Sequence, residues 1–298
     1  MKGGHKISSD KSIETWFGQQ FVDDVYHLFA AKQQLSNTTD KRTVTAAESI
    51  RFYIDGNYNY PVKGKAHGAD IPVITREHKV TLNLRKFAFG DYVEDFDQWS
   101  TRHELRSVTQ QNLAIAFAAQ CDRLVVEAID NASGIDDLGD KDKVLDLNLI
   151  QTIVEEAAVR LMPKDPTNSF ALLTPAQWEA LMLIDEFSHA DKAGSVLPWA
   201  KNIDSRIFRG ITWMRYYLPR NLQNPKVGGM FISDDKQEAT GVLWHKNAVG
   251  YGELEKLKLD VGKVIEKGAY FVSGQFAANA IVKNTDGVIK FTTKNTRS

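Results

Sequence analysis

Ile13, Trp16, Phe17, Phe21, Val25, Leu28 and Phe29 recur at steps of three and four, the spacing that lines one face of a helix, and Ser12 stands where its cap would be. Such a stripe must dock, either on its own core or on a neighbour. From residue 50 to residue 89 the pattern shortens into β-type runs at 50–54, 58–62, 71–74 and 79–84, with the polar, glycine-containing stretch 63–70 in the middle. That stretch reads as a turn or extended tip, and the whole as a long hairpin. A two-stranded ribbon is marginal in water, so the hairpin needs a partner surface. Residues 94–131 then contain neither Gly nor Pro and carry Leu113, Phe117, Cys121, Leu124 and Ala128 on one stripe. One continuous helix of roughly 55 Å is predicted, with the acidic Glu94, Asp95 and Asp97 at the positive end of its dipole.

Polar clusters at 36–45 and 134–143 look like breaks. Beyond the second, Leu149, Ile150, Ile153, Val154, Ala157 and Leu161 mark another helix, stopped by Pro163. Residues 170–173 are a short apolar strand candidate that runs into Thr174-Pro175-Ala176-Gln177. There Thr caps, Pro occupies the first helical position and Gln completes a capping box. The rest is rich in strand-type segments, around 211–217, 229–232, 241–244, 270–272 and 288–292. Helices and strands mix without regular alternation, so the class is α+β.

Composition narrows what such a chain does. Its 298 residues, 43% hydrophobic, suffice for one large or two moderate domains. A net charge of -1, from 37 basic and 38 acidic residues, argues against a grip on nucleic acid backbone. The single cysteine, Cys121, forms no internal disulfide and fits a reducing compartment. Lys2, Lys6 and Lys11 precede no apolar h-region, and no run approaches the roughly 18 residues of a membrane span, so a soluble protein made in the cytoplasm is expected.

A search for chemistry finds little. There is no phosphate-binding glycine loop and no nucleophile elbow. Val227-Gly228-Gly229-Met230 reads as a turn. The seven histidines, His5, His27, His67, His78, His103, His189 and His245, show no metal-ligand spacing. Cys121 lies on an apolar stripe, where an inert thiol is expected. The neighbouring carboxylates Glu155 and Glu156, and Asp136 and Asp137, read as solvated and unperturbed. Trp213, Tyr216 and Tyr217 read as core or interface aromatics in preference to a base-stacking platform. No catalytic residue, metal or cofactor is expected.

The order of elements, an apolar N-terminal helix, a long hairpin, a very long helix and a mixed domain, resembles the major capsid proteins of tailed double-stranded-DNA bacteriophages. Local phrases agree. Lys79-Val-Thr-Leu-Asn-Leu84, leading through Phe87 and Phe89 into Asp91 and Asp97, is similar to that family's second hairpin strand entering its long helix. Leu161-Met-Pro163, Phe170-Ala-Leu-Leu-Thr-Pro175 and Trp178-Glu-Ala-Leu181 resemble its axial-domain helix, strand and proline-started helix. Arg206-Ile-Phe-Arg-Gly-Ile211 with Leu218-Pro219, Trp244-His-Lys-Asn-Ala-Val-Gly250, residues 269–274 and Gly287-Val-Ile-Lys-Phe291 resemble its later strands.

The resemblance implies the phage major capsid protein fold. Its parts would be an N-terminal arm (1–46), an E-loop hairpin (47–90), a peripheral domain with a spine helix (91–145), an axial domain (146–240) and a return to the peripheral domain with the closing strands (241–298). It implies a subunit that catalyses nothing and self-associates as hexamers and pentamers in an icosahedral virion shell. Further implied partners are a scaffolding protein, as a separate chain, and a portal during assembly in the host cytoplasm, with double-stranded DNA enclosed but not specifically bound. Expected intersubunit contacts are Lys63, Lys65, His67 and Arg76 at the hairpin tip, Glu94, Asp95, Asp97 and Glu104 at the start of the long helix, and Trp16, Phe17 and Phe21 on the arm. Some members cross-link through a hairpin lysine. No matching asparagine and glutamate motif is found for Lys63 or Lys65, so the shell is expected to be non-covalent. The alternatives are an encapsulin-like compartment shell, and an enzyme with a site around Trp199, Trp213 and His245.

Overall fold

A computed structural model of the chain describes residues 34–45, 47–54, 78–94, 104–160, 168–184, 187, 205–216, 231–233, 235, 237–254, 258–264, 266 and 269–295. In chain order the strands are β1 (Asp40–Val44), β2 (Ser49–Ile54), β3 (His78–Asn83), β4 (Arg85–Glu94), β5 (Ser169–Leu173), β6 (Ser205–Phe208), β7 (Ile211–Arg215), β8 (Glu238–His245), β9 (Val249–Leu254), β10 (Lys258–Val264), β11 (Ala269–Val282) and β12 (Val288–Lys294). The helices are α1 (Glu104–Asp130), α2 (Leu147–Arg160) and α3 (Pro175–Met182). This is the α+β class expected.

One sheet is built on β11. Its residues 269–275 pair with β10 and also with β4, so these strands lie on opposite edges, and β9 continues along residues 278–282 with β1 parallel outside it. Strand alternation sorts the side chains. Phe276, Ala278 and Ala280 of β11 and Val249 and Tyr251 of β9 face α1, whose Leu113, Phe117, Cys121, Leu124 and Val125 complete that core. Phe117 meets Phe276 edge-on at 5.0 Å, and Phe276 stacks on Phe87 at 5.1 Å.

The second sheet has the order β12-β8-β5-β7-β6 and is covered on both faces. Leu172, Met214, Val242, Trp244 and Val288 point into the α1 core. Ala171, Leu173, Trp213, Leu243, Ile289 and Phe291 point into a second core with Ile150, Ile153 and Ala157 of α2 and Trp178 and Leu181 of α3. A strand enclosed on both sides has no polar face to keep, which is why Phe170-Ala-Leu-Leu173 reads as an uninterrupted apolar run. Fully burying a side chain of this size contributes about 1.5–3 kcal/mol, and Trp213, Trp244 and Phe291 are all wholly enclosed.

The starts of α2 and α3 are written in their caps. Asp146 accepts the Leu149 amide at 2.8 Å. Thr174 and Gln177 form the capping box, and the Gln177 amide goes on to the Ala239 carbonyl at 3.0 Å and the Thr293 hydroxyl at 2.9 Å, tying α3 to the sheet beneath.

Two sequence expectations are corrected. Residues 36–45 are not a break: Leu35–Thr38 is a buried 3-10 turn and Asp40–Val44 is a strand, because the polar side chains of Thr38 and Thr39 bond the turn's own carbonyls. Glu94 does not begin the long helix. It ends β4, opposite Ala269, where ten residues of pairing with β11 hold the chain extended. β8 runs across 240 and 241 and pairs with both β5 and β12, so strands from 146–240 and from 241–298 share one sheet. From Glu104 to Asp130 the helix is continuous through Thr109 and about 40 Å long at 1.5 Å per residue.

Candidate assembly interface

Of the residues expected at intersubunit contacts, Trp16, Phe17, Phe21, Lys63, Lys65, His67, Arg76, Asp95 and Asp97 lie outside the described residues. Glu94 closes β4 and Glu104 opens α1. The site is therefore read from the parts to which these segments attach.

The base of the hairpin is β2 paired antiparallel with β3, from Ser49 opposite Asn83 to Ile54 opposite His78. Its buried residues among those described are Ile50, Phe52 and Leu82, packed with Val44, Leu84 and Ile281. They sit on β9, whose sequence Val249-Gly250-Tyr251-Gly252 sends its side chains to the α1 core and leaves the opposite face bare. A Cβ on Gly250 would lie 3.0 Å from the Phe52 ring, and one on Gly252 would lie 2.5 Å from Cδ1 of Ile50 and 3.0 Å from Cδ2 of Leu82. Two glycines thus form the seat on which the hairpin stands.

Charges lock this seat at its rim. Arg42 of β1 lies 4.8 Å from the centre of the Phe52 ring and donates to the Arg51 carbonyl at 3.0 Å. Lys283 lies 5.3 Å from the same ring and pairs with Asp40 at 2.5 Å, and Lys41 pairs with Glu253 at 2.7 Å.

Residues 34–39, which lead into β1, cross the α1 core as a strap. Leu35, Ser36, Thr38 and Thr39 are buried. The strap is held by Asp122 of α1, whose Oδ1 accepts the amides of Leu35 at 2.9 Å and Gln34 at 3.3 Å while Oδ2 accepts the Tyr216 hydroxyl at 3.0 Å. Its far end is fixed by the Trp244 indole, which donates to the Thr38 carbonyl at 3.1 Å. Burial pushes the Asp122 carboxyl up, and its bonds from Leu35, Tyr216 and Gln34 pull back, leaving it at about 6. Sequence reasoning missed Asp122. The available signal was one carboxylate between Cys121 and Leu124 on an otherwise apolar stripe.

The region considered for an enzyme site is filled by structure. Trp213 is enclosed and its indole donates to the Phe208 carbonyl at 3.3 Å. His245 is buried and its Nδ1 accepts the Asn247 amide at 3.2 Å, capping a 3-10 turn. Tyr216 serves Asp122, and Trp199 and Tyr217 lie outside the described residues. Cys121 is buried in the α1 core. Asp137 departs from the expectation of an unperturbed carboxylate. Burial raises its pKa, but bonds from the Thr292 hydroxyl (2.6 Å), the Gly139 amide (2.9 Å) and the Thr292 amide (2.8 Å), with Lys141 nearby, outweigh this and hold it below the usual range. Among the described residues no three His, Cys, Asp or Glu side chains gather as metal ligands. No helix among them is long and apolar enough to cross a membrane.

A long helix packs on the first sheet, the second sheet is covered on both faces, and the base of a hairpin stands on a glycine seat. The capsid of the cyanophage P-SCSP1u has the same fold, with a TM-score of 0.60 at 15% identity over 89% of each chain. That of the Helicobacter pylori bacteriophage KHP30 gives 0.63 at 10% identity, covering 89% of this chain and 90% of the other. The virus-like particle from Pyrococcus furiosus gives 0.59 at 10% identity, covering 92% and 99%. No curated protein matches the chain. The phage capsid protein family matches residues 13–295, and the chain belongs to that family. It is a structural component of a virion, a subunit of a multi-copy shell and not an enzyme.

Proposed function

We propose that the chain is the major capsid protein of a tailed double-stranded-DNA phage, closing non-covalently into an icosahedral shell of hexamers and pentamers. The observation that supports this most is the family match over 13–295 in a chain whose hairpin base is seated, among the described residues, by Ile50, Phe52 and Leu82. A two-stranded ribbon is marginal alone in water and gains by lying on a neighbouring copy. Closed shells are made of such repeated, symmetry-related contacts.

In this reading Lys63, Lys65, His67 and Arg76 meet Glu94, Asp95, Asp97 and Glu104 of an adjacent subunit. The Trp16, Phe17 and Phe21 stripe docks the arm on a neighbour, and residues 146–240 gather five or six copies about an axis. A separate scaffolding protein and a portal act during assembly in the host cytoplasm. The near-zero net charge suits a wall that encloses DNA without adhering to it.

Negative-stain electron microscopy of the purified full chain tests the shell, with closed particles of uniform diameter as the expected result and only soluble small species as the refuting one. Nuclease-protected DNA inside particles from phage lysates is expected. Particles that instead carry protein cargo and no DNA would overturn the phage reading in favour of a compartment shell.

A further inference from the structure

We propose that the outer edge of β4 pairs antiparallel with β4 of a second copy of the chain, about a two-fold axis that passes at Gly90. β4 runs from Arg85 to Glu94 and binds β11 along one edge. Among the described residues no strand lies along its other edge. Strands average five or six residues, and a longer edge that carries apolar side chains is a template for another chain. Here Phe89 is 40% and Tyr92 48% exposed, Lys86, Ala88 and Gly90 are exposed with them, and no proline interrupts the run.

The charge order of the strand selects its occupant. Arg85 and Lys86 open β4, and Asp91 and Glu94 close it. A parallel copy would set like charges side by side, whereas an antiparallel copy sets basic residues beside acidic ones. Lysine on a sheet edge usually wards off another edge, but here the antiparallel copy brings it a carboxylate. The shell to which the chain belongs supplies that copy, and a two-fold contact closes on itself.

Symmetry then narrows the register. The axis stands perpendicular to the joined sheet, so each strand keeps its faces, and residues directly opposite must be an even number of positions apart. Phe87 and Phe89 face α1, where they meet Phe276 and Phe117. The alternate residues lie on the other face, where Phe271 covers Gly90 and meets Tyr92. With Gly90 opposite Gly90, residues 86–94 of each copy pair, and Lys86 stands opposite Glu94, Ala88 opposite Tyr92 and Phe87 opposite Val93. Asp95, Asp97 and Glu104 are left for the hairpin tip. Placing Ala88 on the axis would set Arg85 opposite Asp91, but only residues 85–91 would pair, and Arg85 already lies 3.9 Å from Glu127 of its own α1. Lys86 holds no ion pair among the described residues.

The full chain carrying Ala88→Cys and Tyr92→Cys, mildly oxidised, is expected to run as a covalent dimer on a non-reducing gel. Positions four apart on one strand are roughly 13 Å from each other, too far for a bridge within a chain, and the native Cys121 is buried. Each single variant is expected to stay monomeric, and adding Lys86→Glu to the pair is expected to cut dimer yield about tenfold. The proposal is overturned by no dimer from the pair, by a dimer from Ala88→Cys alone, or by a yield indifferent to Lys86→Glu. A dimer that forms only once residues 1–33 are removed also overturns it, because the edge is then held by the chain's own leading segment. The unaltered chain gives a second measurement should the cysteine variants misfold. A carbodiimide joins an amine to a carboxylate without a spacer, and Lys86 and Glu94 of one strand lie roughly 27 Å apart, so their cross-link, found by mass spectrometry, must join two copies. Its absence refutes the pairing. Both readings are made on soluble protein, so a dimer without particles refutes the shell alone, and particles without the dimer refute the pairing alone.

Discussion

Gly252 shows how much one missing side chain decides. Its hydrogen faces the terminal methyl of Ile50 where a Cβ would sit at 2.5 Å, closer than real contacts allow, so the side-chain ends of Ile50 and Leu82 must shift within a close-packed cluster. Gly252→Val is expected to destabilise the subunit by about 1–3 kcal/mol through overpacking, read as a lower denaturant midpoint with an unchanged slope. Asp137 carries a second residue-scale prediction. Its folded-state pKa is depressed, so its contribution to stability is present above pH ~4 and is lost as the pH falls through the lower folded value. The side chain is exposed and the effect correspondingly small. Asp137→Asn is expected to lose the acid-side slope of unfolding midpoint against pH below ~4, and an unchanged slope would refute the assignment. Legibility at this scale follows burial. Cys121 and Trp213 were readable as core because apolar neighbours at helical or strand spacing enclose them. Asp122 and Asp137 were not, because the burial of the first in a folded core and the Thr292 bonds to the second, 155 positions away, exist only once distant segments meet.

Elements with a local signal were legible, and those defined by distant pairing were not. Thr174-Pro175-Ala176-Gln177 announces α3, and the structure contains the full capping box. Thr174→Ala is expected to cost about 1 kcal/mol, as losing an N-cap usually does. Gln177→Ala is expected to cost more, because the Ala239 carbonyl and Thr293 hydroxyl would both lose a buried donor. Equal effects in thermal unfolding would show that Gln177 acts only through the cap. By contrast β4 and the full length of β11 were hidden. Phe87, Phe89 and Phe276 suit either period, and Gly90 breaks the apolar run. What fixes the strand is Phe271 lying over Gly90, with Tyr92 beside it at 4.8 Å. A helical reading of Glu94 had the right acidic composition for a helix start, yet ten rungs of pairing to β11 prevail over a dipole effect of about 0.3–1 kcal/mol.

At the scale of the whole molecule, the order from the hairpin base through α1 to the mixed sheet was readable because each of those stretches keeps one period, whereas the expected helix at 13–29 and the runs at 58–62 and 71–74 lie outside the described residues. Assembly is where the charge pattern enters. Lys63, Lys65 and Arg76 are proposed to meet Glu94, Asp95, Asp97 and Glu104, and an ion pair at a surface is typically worth only about 0–1 kcal/mol. Opposite charges on docking surfaces chiefly speed correct encounters and reject wrong ones. In a closed shell the same small contact recurs in every subunit, so its effect on particle yield is far larger than its effect on one subunit. Lys63→Glu with Lys65→Glu should therefore leave the circular dichroism spectrum and soluble yield near wild type while closed particles become scarce. Salt supplies the discriminating measurement. Raising ionic strength from about 0.05 M to about 0.5 M shortens the screening length well below 10 Å, so wild-type assembly should weaken while the double variant, with that attraction already removed, changes little. Wild-type particle yield from the double variant, or an equal salt dependence in both, would show that the tip charges do not direct assembly and that the seated hairpin finds its neighbour by apolar contact alone.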